Sequence, residues 1–99
     1  MMKNKEHKYI LKSFLETKTP DYIYSNYPEW RSVEDYIAGY SMQILKKGKF
    51  INPPKEFISD NEKKYLSDLI NNVSIEEKDD LIIYYRLVLL VELILKQYK

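Results

Sequence analysis

The side chains of this chain that could do chemistry are few and scattered. Nucleophilic catalysis needs a base held close to Ser, Thr or Cys. The sequence has no Cys and one His, His7, close to the N-terminal end. Paired carboxylates occur at Glu34/Asp35, Glu76/Glu77 and Asp79/Asp80. All three pairs fall in the first turns of expected helices, where capping and the helix dipole account for acidic residues. Metal binding inside a helical bundle would call for Glu-x-x-His on inward faces, and a phosphate site for a Gly-rich loop. Neither motif occurs. The expectation is a protein with no catalytic residues, no metal and no cofactor.

Two other groupings suit recognition. Between Asp21 and Asp35, four acids (Asp21, Glu29, Glu34, Asp35) face one Arg31, with Tyr22, Tyr24, Tyr27 and Trp30 interleaved. Tyr and Trp anchor interfaces because they bury much area with little loss of side-chain entropy. Opposite charge steers encounter. Tyr22, Tyr24, Tyr27, Trp30, Glu34 and Asp35 are therefore the candidate contacts for a basic protein partner; otherwise these rings roof the end of a bundle. The second grouping is Lys46, Lys47, Lys49 and Lys55 around Phe50. It could follow phosphates and stack a base on the ring, or be a basic helix end and solvated loop lysines. Sixteen basic against fifteen acidic residues leave +1 overall, so no global field favours nucleic acid or anionic lipid.

These residues must be positioned by helices. Two Gly, abundant Ile, Leu and Lys, and few turn clusters read as all-α. Ile10, Leu11, Phe14 and Leu15 mark a first helix from about Asn4 to Thr17. Lys3, Lys5, Lys8, Lys12 and Lys18 give it a basic outer face, with His7 beside the stripe. Thr19-Pro20 reads as N-cap and first helical residue of a short helix to about Ser25. Ser32 reads as the N-cap of the next, whose stripe is Val33, Tyr36, Ile37, Tyr40 and Ile44 and whose stop is Lys46-Lys47-Gly48. Gly39 interrupts that helix beside its stripe. Pro53-Pro54 keeps the following connection extended, with Phe50, Ile51, Phe57 and Ile58 placed to pin its ends. Ser59 with Glu62, and Ser74 with Glu77, have capping-box spacing. The stripe between them is Tyr65, Leu66, Leu69, Ile70 and Val73.

The last helix, about Ile75 to Tyr98, spans about 35 Å at about 1.5 Å per residue. Thirteen of the fifteen residues from Leu81 to Leu95 are apolar or Tyr, and only Arg86 and Glu92 interrupt them. A helix apolar nearly all round is buried, so the rest should wrap around it. A membrane span would need about 20 apolar residues without internal charges. On a helical wheel, Leu90, Ile83, Ile94, Leu87, Val91, Tyr84, Leu95 and Val88 form a broad arc expected to seat the core. Lys78, Tyr85, Glu92 and Lys96 form a polar strip in which Glu92 and Lys96 are a surface pair. Ile82, Leu89 and Leu93 make a smaller apolar row, a candidate dimer interface. Arg86 borders that row, and if buried it would need a carboxylate.

The expected architecture is one all-α domain over residues 1–99. It is a compact antiparallel bundle of four main helices and one short helix, with the apolar C-terminal helix at its centre. A Cys-free chain without the apolar run of a signal peptide is expected in the cytoplasm. In general build, a helical bundle of about a hundred residues, it is similar to bacterial immunity proteins that neutralise a toxin, and equally to small phage and regulatory proteins. That resemblance implies an inhibitor acting by protein binding. The alternatives are a nucleic-acid-associated regulator and a structural homodimer.

Overall fold

Asn4 opens the first helix by accepting two hydrogen bonds on Oδ1, from the backbone N–H of Glu6 at 2.9 Å and of His7 at 3.2 Å. The computed structural model of the chain describes residues 4–99; Lys3 lies outside them. The fold is all-α, and no strand occurs among the described residues. Helix α1 spans Lys5–Glu16, α2 Asp21–Asn26, α3 Trp30–Lys47, α4 Asp60–Asn72 and α5 Ile75–Lys96. Helix α5 packs against α1, α3 and α4, and α2 packs against α3. No helix among the described residues is long and apolar enough to cross a membrane.

The helix ends show which local signals carried weight. Gly48 takes the left-handed conformation at φ 71°, and its N–H closes α3 on the Ile44 carbonyl at 2.8 Å. At α4 the full capping box forms. Ser59 Oγ accepts from the Glu62 N–H at 3.1 Å, and Glu62 Oε1 accepts from the Ser59 N–H at 2.8 Å. The same spacing at Ser74 and Glu77 does not produce a box, and the Ser74 side chain makes no cap hydrogen bond. Helix α3 starts at Trp30, ahead of the expected Ser32. The chain begins to wind straight after Pro28, with Trp30 N–H donating to the Tyr27 carbonyl at 3.0 Å. Thr19 is not a cap either: its hydroxyl is used elsewhere, as described below. Around Gly39 nothing lies within 4 Å of where a Cβ would sit, so no neighbouring backbone requires the glycine.

One apolar cluster runs from Leu11 and Phe14 through Ile23, Trp30, Ile37 and Ile44 to Leu66, Leu69 and the inner face of α5. Phe57 and Ile58 pin the long connection into it, while Ile51 stays exposed. Tyr40, Phe50 and Phe57 meet with ring centroids 5.3 to 5.5 Å apart.

The orientation of α5 departs from the sequence reading. Its buried residues are Leu81, Tyr84, Val88, Val91, Glu92, Ile94 and Leu95. Ile83 and Leu90, expected in the core arc, are 65% and 46% exposed, and Glu92, expected at the surface, is 3% exposed. The cause is α4. It covers the side of α5 that carries Tyr85 and Glu92, where Tyr85 donates to the Lys63 carbonyl and Lys63 reaches Glu92. Arg86 is exposed and needs no buried partner.

Candidate protein-binding site

The acidic–aromatic segment is built around Glu34, in the second turn of α3. Its half-buried carboxylate accepts three hydroxyl hydrogen bonds. Tyr24 donates to Oε1, and both Thr19 and Tyr84 donate to Oε2. Tyr84 OH in turn accepts from the indole Nε1–H of Trp30 at 2.8 Å. One carboxylate thus joins the α1–α2 connection, α2, α3 and α5. Each donor hydroxyl and the indole N–H has a partner, as buried polar groups require.

The electrostatics follow from that geometry. Burial pushes the Tyr84 hydroxyl far above its ordinary pKa, and the hydrogen bond to Glu34 adds to the shift. Tyr24 is raised in the same way, by desolvation first and Glu34 second. Tyr27 is raised by burial and by the nearby carboxylates of Glu62 and Glu29. Both Tyr24 and Tyr84 therefore stay protonated as donors to the carboxylate.

The six predicted contact residues separate into an inner and an outer set. Trp30 is fully buried, which corrects its assignment as a contact. Being apolar and large, it packs edge-on to Tyr84 at 6.4 Å and fills the core beneath the segment. Glu34 is committed to three hydroxyls. Tyr22, Tyr24 and Tyr27 are half-buried. Tyr27 stacks on Tyr65 with centroids 4.4 Å apart. Tyr24 carries the Arg31 guanidinium 4.3 Å from its ring centre. Asp35 is exposed, as are Asp21 and Glu29. Of the set, Tyr24, Glu34 and Asp35 line one recess of about 400 Å³ beside the end of α1, shared with Lys18, Asp21 and Arg31. Tyr22 and Tyr27 do not line it.

Sequence spacing missed the partners that shape this recess. Thr19 reads as a helix cap and Tyr84 as a core position, and nothing local signals that a hydroxyl 50 residues from Glu34 donates to its carboxylate. Lys18 read only as part of the basic face of α1. The stacking of Arg31 on Tyr24 was visible only as a cation among tyrosines.

The other predicted groups lie apart from it. Lys46, Lys47, Lys49 and Lys55 are all exposed, but Phe50 is half-buried against Tyr40 and Phe57. Its ring is occupied by neighbouring aromatics and does not stand free as a stacking platform. In the candidate dimer row, Leu93 is exposed while Ile82 and Leu89 are half-buried. His7 is half-buried, with Nδ1 3.0 Å from the Tyr98 hydroxyl, a pairing that ties α1 to the end of α5.

No protein-family model, no curated protein and no solved structure matches this chain.

Proposed function

We propose that this protein is a non-enzymatic helical binding protein, and that the recess beside Glu34 receives a basic segment of another protein. The observation that carries the reading is the division of labour among its acids. Glu34 is held inside by Thr19, Tyr24 and Tyr84, whereas Asp21 and Asp35 stand exposed at the rim of the same recess. A pocket fixed by a satisfied hydrogen-bond network loses little entropy when a ligand enters, which favours affinity. Exposed carboxylates at its rim suit an incoming Lys or Arg. The half-buried ring of Tyr24, with the Arg31 guanidinium stacked on it, closes the wall of the recess beside them. An immunity-type or antitoxin-like inhibitor of a toxin is the most concrete form of this function, and its support is the resemblance of general build. An inhibitor acting this way would work within the cytoplasm.

The test is co-purification from the source cell, comparing the wild-type chain with the Asp21→Lys/Asp35→Lys variant. Both positions are exposed and make no hydrogen bond through their carboxylates among the described residues; reversing Asp21 in the first turn of α2 costs at most about 1 kcal/mol, so the fold should be retained. The expected result is one basic protein recovered in near-equal amount with the wild type and lost from the variant. Recovery of nucleic acid, released steeply by salt, would instead move attention to the loop lysines.

A further inference from the structure

The outward face of α5 is apolar and uncovered. Ile75 is 87%, Ile83 65%, Leu93 55% and Leu90 46% exposed. Two charged residues, Asp79 and Arg86, lie in the same strip, both exposed and neither in an ion pair among the described residues. At about 100° per residue, Ile75, Asp79, Ile82, Ile83, Arg86 and Leu90 fall within an arc of about 100°. Exposed apolar strips of this kind mark association surfaces.

The order of residues in the strip identifies the occupant. Taken outward from the point between Ile82 and Ile83, Asp79 and Arg86 lie at equal distances on either side. So do Ile75 and Leu90. A two-fold interface requires this self-complementarity, in which residue i meets residue j and j meets i. We propose that α5 pairs antiparallel with α5 of a second copy of this chain, crossing near Ile82–Ile83.

Each Arg86 then faces Asp79 of the other copy, and each Ile75 covers Leu90 of the other copy. Within one chain Asp79 and Arg86 are seven residues apart, about 10.5 Å along the helix, and cannot pair across that length. Their charges are complementary only between copies. This surface is built from different residues than the recess beside Glu34, so the two readings stand or fall separately.

The experiment is sedimentation velocity of the full chain over a concentration series, with helicity checked by circular dichroism. The wild type is expected to dimerise with increasing concentration. Asp79→Arg alone and Arg86→Asp alone should each weaken the dimer by about tenfold or more, because like charges then meet twice across the two-fold axis. The double exchange, Asp79→Arg/Arg86→Asp, should restore association. Leu90→Asp should give monomer. A chain that stays monomeric at every concentration would overturn the proposal. So would a dimer indifferent to both single exchanges, or a monomer that instead binds anionic lipid vesicles through Leu90.

Discussion

The core of this protein holds two carboxylates on opposite terms. Glu34 is half-buried and accepts from three neutral hydroxyls, those of Thr19, Tyr24 and Tyr84. Glu92 is more deeply buried and has cations instead: Lys63 at 2.9 Å and Lys96 at 3.9 Å, both on Oε1. Its Oε2 has no hydrogen-bond partner. A carboxylate ringed by hydroxyls is fixed in direction by side chains rooted in the α1–α2 connection, α2 and α5. One held by lysine depends on a flexible stem whose head reaches solvent, since the Lys63 side chain is 26% exposed. The first arrangement makes a rigid corner on which a binding surface can be mounted. The second compensates a charge that α4 covers.

The difference sets the size of the mutational effects. Lys63→Met should be the most damaging change, costing about 3 kcal/mol, because it leaves the Glu92 charge buried with only the distant Lys96. Lys63→Met/Glu92→Leu should recover most of that loss, since an apolar pair of similar volume has no charge to desolvate. Urea denaturation of the single and double variants measures both.

At the other carboxylate, Tyr84→Phe should cost about 1–2 kcal/mol, because the Trp30 indole N–H loses its acceptor inside the core. Glu34 keeps two donors, so the loss stays below that of Lys63→Met. The same urea midpoints compare them directly.

Alkali provides a further separation. The Tyr84 hydroxyl is raised in the folded state above its ordinary value of 10.0. Its contribution to stability is complete below about pH 10, and is lost as the pH rises above it, because only the unfolded chain releases that proton readily. Lys63 is raised above 10.5, chiefly by its hydrogen bond to Glu92, and loses its contribution in the same direction. In the Lys63→Met/Glu92→Leu background, the remaining alkaline decline should therefore be shallower when Tyr84→Phe is added. Melting temperatures between pH 8 and about pH 11 read this out.

Arg86→Leu, measured on dilute protein, should change stability by no more than about 0.5 kcal/mol. Arg86 is an exposed basic residue of α5, in contrast to Lys63 at its covered side. A large loss would show that Arg86 has a buried partner after all.

The sequence made much of the helical framework legible, because caps and stripes are local. Asn4, the Ser59–Glu62 box and Gly48 mark their helix ends, and Leu11, Phe14, Ile37, Ile44, Leu66 and Leu69 are buried as the periodicity implies. What stayed illegible was direction. Helix α5 is apolar nearly all round, so its pattern does not say which side faces inward. Ile83 and Leu90 turn out, and Glu92 turns in, because α4 chooses that side. Thr19 and Tyr84 escaped notice for a related reason. Their partner, Glu34, is distant in sequence, and a hydroxyl carries no signal of where it will donate. Trp30 reads as an interface anchor among polar and aromatic neighbours, yet it opens α3 on the inward side.

The proposed function rests on the outward acids of the corner that Glu34 fixes. Its most direct measurement is the amount of basic protein that co-purifies with the wild-type chain and with Asp21→Lys/Asp35→Lys, with folding of both confirmed by urea denaturation. The expected result is a near-equimolar partner for the wild type and none for the variant, with the variant still folding cooperatively. A partner retained by the variant, or no protein partner for the wild type, would contradict it.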